Sequence, residues 1–285
     1  MKNKLKIIAE ICSNHNNNIE RCYKLIDKAK DSGCYGVKFQ LFKIKNLYHQ
    51  DFIQRKKLEK LKKRELDVKL IPKLSRYCKT KKIKFGCTPF DLEAVDYLEP
   101  YVDFYKISSY ELLWEDLLKK VFSKKKETLI STGMSNEKEV SKVFKIIKNL
   151  KNKSKFIFLH CVSAYPANIM ECNLNSILFL KKKFNLEIGW SDHTVNPLLI
   201  YKLYKEYNLK LFELHFDLDG KGWEFKDSKH CWLPFQIKEL VNFINNEKEI
   251  EGKYHKKPSS SEYKERLYRS DPVDGLRPNI KIRNS

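Results

Sequence analysis

One pattern repeats along the chain: a short apolar run, a few polar residues, then a longer amphipathic stretch. The apolar runs are Leu5–Ile11, Tyr35–Leu41, Ile83–Thr88, Asp103–Ser108, Thr128–Thr132, Phe156–Cys161, Glu187–Ser191 and Leu209–Phe216. They are short and rich in β-branched and aromatic residues, as strands buried on both faces are. Stretches such as Glu20–Ser32, Val68–Lys81, Asn136–Leu150 and Pro197–Asn208 repeat their apolar residues every three or four positions, which predicts helices. Strands that alternate with helices imply a parallel sheet. Eight such units over about 250 residues close most economically into an α/β fold, the (β/α)8 TIM barrel. A doubly wound sheet is the alternative, made second choice by the lack of a Gly-x-Gly-x-x-Gly turn.

Two segments break the rhythm. Lys43–Leu66, after the second strand, is long, basic and interrupted, which in a barrel predicts an extended loop on the active face. Beyond residue 250 the pattern turns polar, so the expected organisation is a catalytic barrel over 1–250 and a tail over 251–285 with no separate domain.

Charge sharpens the picture less than its size suggests. The formal net charge is +21, yet only 8 of the 57 basic residues are Arg. Arg is the preferred residue for bidentate phosphate and base-edge contacts. The lysines therefore read as solvated helix faces, with no nucleic acid expected as partner, although the field favours an anionic substrate. The eight cysteines contain no Cys-x-x-Cys pair and read as reduced thiols. No run approaches the roughly 20 apolar residues of a membrane span. The expectation is a cytoplasmic protein without a membrane partner.

Barrel chemistry gathers at the C-terminal ends of the strands. There the sequence places Glu10, Asn14 and His15, then Lys38 and Gln40, Thr88, and Lys106, Ser108, Ser109 and Glu111. Ser131 and Thr132 come next, then His160, Ser163 and Tyr165, then Ser191, Asp192 and His193, and last Glu213 and His215. A lysine turned into a barrel mouth needs an anion or a carbonyl, because a buried unpaired ammonium is costly. Lys38 and Lys106, with hydroxyls at Thr88, Ser109 and Ser191, suit a small phosphorylated acid; a Schiff-base lysine is the other option. His193 and His215 end neighbouring strands, so their rings can converge on a divalent ion acting as a Lewis acid. His160 reads as structural, and His230 is ambiguous.

These residues sit in strings that resemble the sialic acid (N-acetylneuraminate) synthase family over about residues 5–245. The strings are Ile7–His15, Val37–Gln40, Thr88–Phe90, Lys106–Ser109, Ser131–Met134, Leu159–Pro166, Gly189–Thr194 and Glu213–Phe216. The resemblance implies condensation of phosphoenolpyruvate with a 2-acetamido aldose such as N-acetylmannosamine, aided by Mn²⁺ or Mg²⁺. It implies His193 and His215 as metal ligands, and Lys38, Thr88, Lys106, Ser109 and Ser191 around phosphoenolpyruvate. Glu10, Gln40, Glu111 and Tyr165 would face the sugar or move protons, with Glu10 or Glu111 as the working carboxylate.

Four departures from the family pattern stand out. Asn17 comes after Asn14-His15-Asn16 where the family has Gly, and Ser163 stands where an Asn often touches phosphoenolpyruvate. Glu224 replaces an Asp expected to bind sugar hydroxyls. Residues after 250 are too few for the antifreeze-like domain of many bacterial members, which supplies an Arg to a partner's sugar site. Arg269 or Arg277 could take over that contact, and a homodimer is an expectation the departure weakens. The alternatives are a related 3-deoxy-aldulosonate synthase and a basic anion- or nucleic-acid-binding barrel.

Overall fold

The computed structural model describes residues 5–49, 51, 55–151 and 154–284. The chain divides into two compact units, Met1–Ile244 and Asn245–Ser285. In the first, eight parallel strands close in sequence order, β1 pairing with both β2 and β8. They are β1 Lys6–Glu10, β2 Gly36–Leu41, β3 Lys84–Pro89, β4 Phe104–Ile107, β5 Glu127–Ser131, β6 Phe156–His160, β7 Ile188–Asp192 and β8 Leu211–His215. The barrel expectation is borne out.

Helices α1 Ile19–Asp31, α2 Ile44–Leu47, α3 Arg55–Lys62, α4 Ile71–Thr80, α5 Leu92–Leu98 and α6 Glu115–Ser123 connect the first five strands. The others of this unit are α7 Glu137–Asn149, α8 Asn175–Phe184, α9 Pro197–Lys205, α10 Trp223–Ser228 and α11 Pro234–Asn245. The long loop after β2 thus carries two short helices, which its broken periodicity concealed. Local chemistry starts the helices where the pattern placed them: Asn18 caps α1, and Asn136 with Glu139 forms a capping box on α7.

Period-two alternation sorts each strand into an outer and an inner face. Outward residues such as Val37, Phe39, Tyr105, Ile107, Phe212 and Leu214 join the core between strands and helices. Inward residues form two layers. The lower is apolar: Ile8, Phe104, Leu129, Ile157, Leu159 and Leu211. Gly86 belongs to this fit, since a Cβ there would lie 2.2 Å from the Phe104 ring. The upper layer, one pleat further along the strands, is polar and carries the site.

The second unit holds α12 Glu247–Glu251, α13 Glu262–Arg266 and α14 Ile280–Arg283. It runs from Asn245 to Ser285. The Asp271 carboxylate orders this unit by accepting from the Val273 and Ile280 N–H groups, at 2.9 and 2.8 Å. Arg277 Nε donates to Ser270 Oγ at 3.2 Å, within the same unit. Among the described residues no helix is long and apolar enough to cross a membrane.

Candidate active site

The polar layer contains two lysines and two glutamates, all buried. Lys38 is ion-paired with Glu10 and donates to Thr88 Oγ1 at 2.8 Å. Glu10 Oε1 also accepts from the Cys12 N–H at 2.8 Å and from Gln40 Nε2 at 3.3 Å. Lys106 Nζ lies 3.5 Å from Glu213 Oε1, which accepts from Ser191 Oγ at 3.1 Å. Burying single charges this deeply would be prohibitive; an interlocked set of two cations and two anions offsets the cost. Burial, with Lys106 as a like charge, lowers Lys38 to about 8. Burial works against ionisation of Glu213 as well, but Lys106, Lys38 and His215 hold it at about 2.

Above this plate opens a cavity of about 510 Å³. Glu10, Lys38, Gln40, Lys106, Ser109 and Glu111 line one part of it, and Tyr165, Ser191, His193, His215 and Glu224 another. Thr88 and Ser163 are not among its lining residues; Thr88 accepts from Lys38, and Ser163 lies beside Gly133 together with Ser109. The two serines form a small cradle with Gly133, whose N–H donates to Ser109 Oγ at 3.0 Å. A Cβ on Gly133 would lie 2.2 Å from Ser163 Oγ and 2.9 Å from Ser109 Oγ, so only glycine leaves both hydroxyls room. Ser163 Oγ is buried and has no partner among the described residues. Glu111 accepts a short hydrogen bond from Ser108, and burial raises its pKa above the usual carboxylate value.

His193 and His215 meet as expected, ring centroids 5.0 Å apart, with Tyr165 4.4 Å from His193. His193 Nδ1 lies 2.5 Å from the Val162 carbonyl, which can only accept. The proton therefore sits on Nδ1 and the lone pair on Nε2. Burial, reinforced by His215, pulls His193 down to about 3, so the ring is neutral at ordinary pH. His215 Nδ1 lies 3.1 Å from Glu224 Oε1, which leaves its Nε2 available in the same way. Glu213 Oε2, buried in the same layer, has no partner among the described residues. Two imidazole nitrogens turned toward each other and an orphaned carboxylate oxygen are the donor types a divalent cation takes, so these residues fit a metal.

Glu224, expected to face the sugar, contacts His215 and also His230, 3.2 Å from its Nε2. The loop is placed from β1: Asn14 Oδ1 accepts from the Glu224 and Phe225 N–H groups at 3.0 and 3.1 Å. Asn17 takes the left-handed conformation, φ 50°, that its Gly counterpart would take; Asn tolerates it. His160 faces away from this chemistry: its Nε2 lies 3.0 Å from the Cys172 carbonyl, a scaffold contact. Sequence reasoning gave Glu213 no role, although its place two residues before His215 puts it on the same face. It also missed the cavity wall of Phe42, Ile44, Leu47, Leu61 and Phe90 and the nearby Arg64.

Comparison with known proteins decides the lineage. The NeuB family pattern matches residues 25–256. The chain belongs to the NeuB family. An N,N'-diacetyllegionaminic acid synthase of Campylobacter jejuni is 35% identical over 274 residues, covering 92% of this chain and 81% of the relative. A pseudaminic acid synthase of the same species is 32% identical, covering 85% and 73%. The crystal structure of an N-acetylneuraminic acid synthetase from Leptospira borgpetersenii, bound to citrate, superposes with a TM-score of 0.77 at 28% identity. That superposition covers 99% of this chain and 92% of the other. The resemblance read from the sequence strings is thereby borne out.

Proposed function

We infer that the protein condenses phosphoenolpyruvate with a 2-acetamido aldose and water, giving a sialic-type nonulosonic acid and phosphate. Membership of the NeuB family, with relatives named as synthases of such acids, supports this reading. The observation that carries it is the buried plate of Lys38, Lys106, Glu10 and Glu213 in the same mouth as the paired rings of His193 and His215.

The plate suits phosphoenolpyruvate because the substrate is a dense anion whose reacting carbon becomes cationic. Lys38 and Lys106 supply charge to its phosphate and carboxylate, while Ser109, Ser163 and Ser191 supply directed hydroxyls. Glu213 is held ionised by the lysines and Glu10 is paired with Lys38, so both are placed to stabilise the developing positive carbon. Glu111, with its raised pKa and a single serine partner, is the group suited to proton transfer with the added water. His193 and His215 would hold Mn²⁺ or Mg²⁺, which when bound would supply a Lewis acid for the aldehyde. Tyr165 and Gln40 close the sugar side.

The cavity wall narrows the aldose. Phe42, Ile44, Leu47, Leu61 and Phe90 offer an apolar surface for acetamido methyl groups. Among the described residues the cavity's cations are Lys38, Lys106 and Arg64, and Arg64 is paired with Asp227. A second phosphate finds no free partner there, which favours an unphosphorylated sugar. Mixing the protein with Mn²⁺, phosphoenolpyruvate and a panel of 2-acetamido and 2,4-diacetamido aldoses should release phosphate, and EDTA should stop it. Silence across the panel overturns the reading.

A further inference from the structure

The residues behind His215 form a second donor set. The segment after α10 returns to the end of β8: Phe216 bridges Trp232, and the Trp232 N–H donates to the His215 carbonyl at 2.7 Å. This return lays His230 and Cys231 against His215. His215 Nδ1, His230 Nε2 and Glu224 Oε1 then form a nearly equilateral triangle with sides of 3.1, 3.2 and 3.2 Å. Cys231 Sγ completes a group whose ligand atoms all lie within 4.8 Å of one another.

Bonds of about 2.0–2.1 Å to a tetrahedral ion place its ligands roughly 3.3 Å apart. The triangle has that size. Hydrogen bonding alone uses the carboxylate poorly, for one oxygen serves two ring nitrogens while buried Glu224 Oε2 has no partner among the described residues. Outer contacts also suit a cation. Ser228 Oγ lies 2.6 Å from His230 Nδ1 and can accept its proton, freeing Nε2; Asn14 Nδ2 donates to Cys231 Sγ at 3.3 Å, as a thiolate requires.

We propose that His215, His230, Glu224 and Cys231 form an inhibitory site for a thiophilic divalent cation of the Zn²⁺ class. A thiolate among two imidazoles and a carboxylate selects Zn²⁺ over the oxygen-preferring Mg²⁺ and Mn²⁺. Coordination releases the Cys231 proton to solvent. A neutral imidazole has one lone pair. When His215 gives that of Nδ1 to Zn²⁺, its ring proton moves to Nε2, the nitrogen the activating metal needs. The two cations therefore exclude each other through one ring without sharing a coordination position. This last step rests on the synthase reading; the site itself does not.

Metal-free protein titrated with Co²⁺ should take up one equivalent with a near-ultraviolet thiolate-to-cobalt charge-transfer band. Cys231→Ser and Cys231→Ala should lose that band, whereas His193→Ala should keep it. Zn²⁺ should inhibit phosphate release competitively with Mn²⁺. Cys231→Ser should weaken that inhibition by more than about 100-fold, beyond the effect of losing an outer partner. No band in the parent protein, a band that survives both Cys231 changes, or unchanged Zn²⁺ inhibition in Cys231→Ser overturns the proposal. A band without any synthase activity removes the function reading and leaves the site standing.

Discussion

Lys106 and Glu213 reach each other across the inside of the barrel, Nζ to Oε1 at 3.5 Å, from strands that lie opposite in the closed sheet. Each is almost wholly buried. The pair therefore ties β4 to β8 in a medium where a lone charge is expensive. Lys106→Met should cost about 3–5 kcal/mol of stability, the usual penalty for stranding a buried charge. Adding Glu213→Leu should restore most of it. Urea unfolding of the singles and the double closes the cycle; additive losses would show that the pair is not coupled.

Lys38 gives two pH effects of opposite sign. Its folded pKa, about 8, lies below the ordinary 10.5, so the unfolded chain binds the extra proton between those values. That burden on stability is fully present below pH 8 and is relieved as pH rises toward 10.5. Affinity for phosphoenolpyruvate runs the other way, since the cation is lost above pH 8. The profile of kcat/KM for phosphoenolpyruvate should fall on the alkaline side near pH 8, and Lys38→Arg should move that limb upward.

Gly133→Ala places a methyl group 2.2 Å from Ser163 Oγ. The KM for phosphoenolpyruvate should rise by about tenfold, equivalent to about 1.4 kcal/mol. Combining it with Ser163→Gly should recover part of the loss by removing the clash. A KM unmoved by Gly133→Ala would take the hydroxyl cradle out of the anion site.

His193→Ala should abolish saturable Mn²⁺ binding, measured by calorimetry, and lower turnover by about 100-fold or more. Stability should change little through ionisation, because the ring is already neutral at ordinary pH. Turnover that survives both His193→Ala and His215→Ala would leave the two rings with a scaffold role.

Most of this arrangement was legible in the chain. The eight strands match the apolar runs to within two residues, because a strand covered on both faces has no choice but to be apolar along its length. The polar strand ends were legible for the complementary reason: Lys38 and Lys106 interrupt largely apolar runs, Ser191 ends one, and His193 follows two residues later. What was hidden came from contacts across long sequence separations. Glu224 and His230 sit in a polar loop like many others until Asn14, over 200 residues earlier, fixes that loop against β8. The pairing of Arg64 with Asp227 is equally remote in sequence, and no spacing rule announces it. The two helices after β2 are too short for helical periodicity to emerge.

The apolar layer of Ile8, Phe104, Leu129, Ile157, Leu159 and Leu211 closes the barrel beneath the charged plate. A second cavity of about 560 Å³ reaches that layer from below, and the two cavities share no lining residue. Traffic is thereby confined to a single doorway. With phosphoenolpyruvate at the lysines and the sugar above it, as proposed, phosphoenolpyruvate should enter first and the product should leave by the same mouth. Six hydrophobic side chains that close the floor would thereby set the order of binding a steady-state experiment reads.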